Sequence, residues 1–255
     1  MSDVLVYRAE GGVATLLMNR PDKRNALNAE LVTAIRDGLA RAEADGAVRV
    51  VLLRGAGTDF CSGADLAELE RIADMGAEAS LADASVLGEL FVSMRRHSKP
   101  IVAAVQGRAL AGGCGLATAC DLVLATEDAQ LGYPEVHLGF VPAMVMTILR
   151  RKVGESQAFE LVTRGDRIGA ERAHALGLVN RIFPSDRFDS EVDAYSAGLA
   201  ARPASAVALS KRLLYGLDGV SFEEGVARGA EVNTLARFTE ACREGVRRFL
   251  DKSRD

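Results

Sequence analysis

Three short apolar runs constrain the fold of this chain most. They are Val48–Leu53, broken only by Arg49, then Ile101–Val105, then Leu122–Ala125. A strand covered on one face alternates apolar and polar residues, whereas one covered on both faces reads as a continuous apolar run. Such strands belong to sheets sandwiched by helices, so the chain reads as α/β. Around them, Val4–Arg8 and Val13–Met18 flank Glu10-Gly11-Gly12 and predict a hairpin. Asn28 is placed to cap a helix carrying Leu31, Ile35 and Leu39, with Gly46 as its stop. The stretch from Leu66 to Met94 reads as helical with an irregularity around Gly76–Ser80. Leu131-Gly132 reads as a fourth, short strand and Leu178–Phe183 as a late one. Pro142–Lys152 and Glu155–Thr163 read as helices. From Phe188 onward only helical patterns occur, which divides the chain into a mixed core over residues 1–190 and a helical region over 191–255.

Composition narrows the function. A net charge of −4 in 255 residues gives no support for nucleic-acid or membrane-surface binding. The opening Met-Ser-Asp-Val-Leu-Val-Tyr has no basic segment leading into an apolar one, so the expectation is a cytoplasmic chain without a signal peptide. Cys61, Cys114, Cys120 and Cys242 lack C-x-x-C or paired His spacing, which argues against a metal site or a disulfide framework. Reduced thiols and no bound metal are expected.

Three segments, each a loop after an expected strand, concentrate the chemistry. They are Phe60-Cys61-Ser62-Gly63-Ala64-Asp65-Leu66, the Gly-rich Gly107–Gly115, and Tyr133-Pro134-Glu135. In open α/β sheets ligands bind beyond the carboxyl ends of the strands. Glycine lets backbone approach a ligand, and a helix N-terminus offers free N–H groups. Gly113–Thr118 approximates a dinucleotide fingerprint, but Thr118 stands where its third glycine belongs. Cys114 between glycines looks like a nucleophile turn, yet no His motif pairs with it.

These residues, in order, resemble the crotonase superfamily, also called the enoyl-CoA hydratase/isomerase family. The resemblance is carried by Asn19-Arg20-Pro21 with Asn25-Ala26-Leu27, by the Phe60–Leu66 and Ala109–Cys114 segments, and by Cys120-Asp121-Leu122. It continues through Pro134-Glu135 with Leu138-Gly139 and Pro142, Gly165–Ile168, Gly177-Leu178-Val179 and Arg243-Glu244-Gly245. It implies a spiral of ββα units with a helical C-terminal region that forms trimers or hexamers. It implies an acyl-CoA thioester as substrate, with coenzyme A entering only as part of that substrate and no separate cofactor. The N–H groups of Ala64 and Gly112 match the family's oxyanion-hole donors, and Glu135 matches one of its two catalytic glutamates. Lys23, Arg24, Ala26, Ser62, Asp65, Leu66, Tyr133 and Pro134 match its substrate-binding surface. Phe249 and Lys252 match residues that reach the CoA of a neighbouring subunit. Asp65 is first of all suited to cap the helix that starts there, a role compatible with ligand binding.

The sequence departs from the family at two places. The other hydratase glutamate would fall at Gly115, and the Gly-rich stretch after Pro142 reads Ala143-Met144-Val145-Met146. Adding water across a double bond is served most simply by two carboxylates; one carboxylate suffices to move a proton between α and γ carbons. The expectation is therefore an isomerase or an atypical hydratase. A family lyase or decarboxylase, and a non-catalytic acyl-CoA-binding subunit, are the alternatives. Glu68, Glu70, Asp74 and Glu78 are positioned as substitute acids or as solvated helix charges.

Overall fold

The computed structural model describes residues 4–252, leaving the side chains of residues 66, 72 and 73 outside the description. Nine strands and eleven helices follow in chain order among the described residues. The first part runs β1 Leu5–Glu10, β2 Val13–Met18, α1 Ala29–Ala44, β3 Val50–Gly55, α2 Leu66–Ala73, α3 Ala77–Arg96 and β4 Ile101–Val105. Next come β5 Arg108–Leu110, α4 Gly112–Ala119, β6 Leu122–Thr126, β7 Gln130–Gly132, α5 Ala143–Lys152 and α6 Glu155–Arg164. The chain closes with β8 Ile168–Gly169, α7 Ala170–Ala175, β9 Arg181–Phe183, α8 Phe188–Ala200, α9 Ala204–Gly216, α10 Phe222–Arg237 and α11 Glu240–Lys252.

The large sheet has the order β1-β2-β3-β4-β6-β9. The β1–β2 hairpin is antiparallel and every other pairing in it is parallel. Gly11 and Gly12 turn the hairpin at φ 57° and 83°, a conformation that suits glycine at both centres of a tight turn. Successive side chains of a strand point to opposite faces. Val51, Leu53, Ala103, Val105, Val123 and Ala125 therefore enter the main core under the helices that follow β2, β3 and β4. Val50, Leu52, Val102, Ala104 and Leu124 enter a second core closed by Phe188 and Val192 of α8. Burial on both faces is what made these strands uniformly apolar, and each such Val or Leu contributes about 1.5–3 kcal/mol relative to exposure.

A second, small sheet has the order β5-β7-β8. Its β5 and β8 were not anticipated from sequence. At three and two residues they are too short to carry a period. The late strand begins at Arg181, after a buried Leu178-Val179 approach, and the helix expected from Leu66 breaks at residues 74–76. Asn28 caps α1 as expected, accepting 3.0 Å from the Leu31 N–H. Asn28→Ala should lower stability by about 1 kcal/mol, read as a shifted urea midpoint at unchanged slope.

The helical region is anchored at Asp121, where Lys211 Nζ lies 2.7 Å from Oδ2 and the Tyr215 hydroxyl donates to Oδ1 at 2.6 Å. Beyond it, α10 and α11 have no buried residues among those described. Phe222, Phe238 and Phe249 are 82%, 69% and 73% exposed. No helix among the described residues is long and apolar enough to cross a membrane.

Candidate active site

Two parallel bridges assemble the site. The first pairs Cys61 with Ala109. Cys61 N–H donates to Arg108 O at 3.0 Å, and Leu110 N–H to Cys61 O at 3.0 Å. The second pairs Leu27 with Ala64. Leu27 N–H donates to Gly63 O at 2.7 Å, and Asp65 N–H to Leu27 O at 2.9 Å. In a parallel bridge the residue whose neighbours are bonded turns its own N–H the other way. The Ala64 N–H accordingly donates to nothing among the described residues. Gly63 makes the turn at φ 106°, where a Cβ would also lie 3.0 Å from Ala111 Cβ.

Ala111 ends the small sheet's reach, donating to Gly132 O at 2.8 Å, and then caps α4 in an unusual conformation of φ 50° and ψ −127°. A non-glycine residue held there carries strain of order 1–3 kcal/mol, and such outliers cluster at functional sites. The cap starts α4 against the loop that carries Ala64: Cβ atoms on Gly63 and Gly113 would lie 3.0 Å from Ala111 Cβ and 2.3 Å from Cys61 O. Leu27 Cδ1 bridges the two, 3.4 Å from where a Gly112 Cβ would be. The first bonded amide of α4 is Gly115, to Ala111 O at 2.9 Å, so the Gly112 N–H is left unsatisfied among the described residues. Two amides freed in this way can receive an oxygen on which negative charge develops.

Glycine is required within α4 as well. A Cβ on Gly113 would fall 2.3 Å from Cys61 O and 2.7 Å from Cys61 Sγ. Gly113→Ala is expected to cost about 1–3 kcal/mol or more, read by thermal melting, because backbone and not a flexible side chain must yield.

Glu135 lies in a 3-10 turn, Pro134–Leu138, directly beyond β7, the strand that pairs with β5. Pro134 starts the turn and the Phe140 N–H holds Glu135 O at 3.0 Å. The carboxylate is half-buried. Its Oε2 is shut off from solvent and accepts no hydrogen bond among the described residues. Burial raises its pKa above the ordinary carboxylate value, with its own backbone N–H opposing the shift. A desolvated carboxylate with one free oxygen on a rigid turn suits proton transfer. His137 is exposed and faces Gly165, its Nε2 2.9 Å from where a Cβ would be, so it does not orient Glu135.

The remaining expected residues divide. Ala26 is buried and its carbonyl accepts from Arg20 Nη1. Ser62 donates its N–H to Arg24 O at 3.0 Å, and Lys23 and Arg24 are exposed beside it. Asp65 is fully engaged within the chain: Oδ2 meets Arg20 Nη2 at 2.7 Å and Oδ1 caps α2 through the Ala67 N–H at 3.0 Å. Arg20 holds its carboxyl below the usual range. Tyr133 does not line an open pocket as expected. It is wholly buried, with its hydroxyl 3.2 Å from Thr118 Oγ1, because it falls on the same side of the chain as the core residue Leu131. The side chain of Leu66 lies outside the described residues. Phe249 and Lys252 stand on α11, which packs on α9 and α10, and both are exposed.

Sequence reasoning gave no role to three polar residues that frame the site. Arg20 ties the Ala26 carbonyl to Asp65. Asn25 is wholly buried at φ 54° and binds Arg20 N, Ala56 O and Asp59 O at 2.8–2.9 Å. Asp59 grips the guanidinium of Arg108 through both oxygens. The presence of Arg20 and Asn25 in the Asn-Arg-Pro and Asn-Ala-Leu segments was the available signal; Asp59 had none. Of the substitute acids, Glu68 is taken up by Arg71 at 2.7 Å, while Glu70, Asp74 and Glu78 point to solvent.

The sequence profile of the enoyl-CoA hydratase/isomerase family matches residues 8–255. A Thermus thermophilus relative is 43% identical over 97% of this chain and 98% of its own length. The Escherichia coli 2,3-dehydroadipyl-CoA hydratase is 36% identical over 99% of this chain and 97% of its own. Among solved structures, an enoyl-CoA hydratase of Mycobacterium smegmatis superposes with a TM-score of 0.94 at 32% identity, covering 98% of this chain and 97% of that one. The chain belongs to the enoyl-CoA hydratase/isomerase family and has the crotonase fold.

Proposed function

We propose that this enzyme moves a proton along enoyl-CoA thioesters, converting a 3-enoyl to a 2-enoyl thioester with Glu135 as the single carboxylate shuttle. The carboxylate takes a proton from C2, and the electron pair passes to the thioester oxygen. That oxygen is held by the Ala64 and Gly112 N–H groups. Glu135 returns the proton at C4, and the double bond comes to rest between C2 and C3. Atoms balance without a co-reactant. The observation that carries the reading is the buried, unpartnered Glu135 Oε2 in a site where residue 115 is glycine.

Hydration is the second reading, favoured by the names of the relatives, and it would have to run on one carboxylate. The exposed phenylalanines of α10 and α11 support assembly into trimers, or hexamers as paired trimers. In such an assembly Phe249 and Lys252 would reach a neighbour's CoA. Crotonyl-CoA and a 3-enoyl-CoA, assayed in parallel by the 2-enoyl thioester absorbance, test the reading. Absorbance gained from the 3-enoyl ester supports it. Silence on that substrate with loss of absorbance from crotonyl-CoA replaces it with hydration.

A further inference from the structure

Residues three apart share one side of a helix. The side of α4 that presents Gly112 at its mouth therefore continues one turn inward to Gly115, the place where the resemblance puts a second carboxylate. That place is not empty. A Cβ on Gly115 would lie 2.1 Å from Val145 Cγ1, 3.2 Å from Val145 Cβ and 3.6 Å from Phe91 Cζ. Val145 comes from the first turn of α5 and is 4% exposed. Beside it, Met144 Sδ covers Gly88 of α3, 3.4 Å from where a Cβ would stand. Two helices, α3 and α5, thus close over Gly115 with hydrocarbon. Such a wall offers water no partners, and apolar interior space stays dry.

We propose that Val145 is the specificity-determining residue of this site: seated on Gly115, it bars a second carboxylate and water from the α4 side. The enolate is left with Glu135 as its proton source, and C3 with no activated water. This deepens the single-shuttle reading and rests on it.

The test is the ratio of hydration to isomerisation, which does not change with the fraction of protein folded. Gly115→Glu together with Val145→Gly is expected to raise that ratio by about a hundredfold, the scale of one general acid–base group. Gly115→Gln with Val145→Gly, of the same volume without the charge, should leave it at the wild-type value. Gly115→Ala alone should melt several degrees lower, roughly the shift a 1–3 kcal/mol overpacking gives. Adding Val145→Ala should restore the melting temperature. An unchanged ratio in the Glu double variant, an equal rise in the Gln one, a Glu double variant that does not fold, or a Gly115→Ala protein that melts like wild type would each overturn the proposal. A wild type that only hydrates would instead refute the shuttle reading, while the coupling between residues 115 and 145 would still be measurable.

Discussion

Glu135→Gln is expected to lower turnover by about 10²–10⁴-fold, the range for loss of a positioned general base, while CoA-ester binding stays near wild type. Glutamine keeps the shape of the side chain on its Pro134 turn and removes only the ability to take a proton. Titration calorimetry with a non-reactive acyl-CoA separates binding from chemistry. Unchanged turnover would remove Glu135 from the mechanism. Lost binding would make it a ligand contact. The pH dependence follows from burial. The carboxylate must be ionised to accept a proton, and burial raises its pKa. The acid limb of kcat/KM should therefore fall above the ordinary carboxylate range, with activity rising as pH passes through it.

The same shift has a consequence for stability. The folded-state pKa of Glu135 is raised above the unfolded one, so its contribution is favourable below the unfolded pKa and is lost as pH rises through the folded pKa. Near neutral pH the carboxylate opposes folding, modestly because half the residue remains solvated. Glu135→Gln should thus melt at or above the wild-type temperature near neutrality, and the difference should close in acid. Activity lost while stability is kept or gained is the signature of a group placed for chemistry.

What the sequence made legible follows the same physics. Val50 to Leu53 could be placed because both faces of β3 are buried, which removes the polar alternation that other strands keep. Gly113 and Gly63 stand in segments read as letting backbone approach a ligand, and the structure adds that each has backbone or a neighbouring Cβ where a side chain would go. Tyr133 was placed on the substrate-binding surface by the resemblance and is wholly buried. The alternation from Leu131 already pointed it inward. The Arg20–Asp65 pair spans 45 residues and the Gly115–Val145 contact spans 30, and single-sequence patterning carries no signal across such distances. The short β5 and β8 were hidden for another reason: three and two residues are too few to carry a period.

The Gly112 amide can be tested with two substitutions, one that adds a side chain and keeps the N–H and one that removes the N–H. Gly112→Ala keeps the donor and adds a methyl at 3.4 Å from Leu27 Cδ1, an ordinary contact. Its turnover should stay within a few-fold of wild type, with a slight gain in stability from the helix propensity of alanine. Gly112→Pro removes the donor at the first position of α4, where proline is favoured because no intrahelical bond is lost. Its turnover should fall by about 10²–10³-fold, the typical loss for one oxyanion donor, with kcat carrying the effect more than KM. Charge on the thioester oxygen grows between bound substrate and enolate, so the donor matters most at the transition state. Equal losses in the two variants would assign Gly112 to packing. A loss confined to proline, in a protein that still melts cooperatively and binds acyl-CoA, assigns the N–H to catalysis.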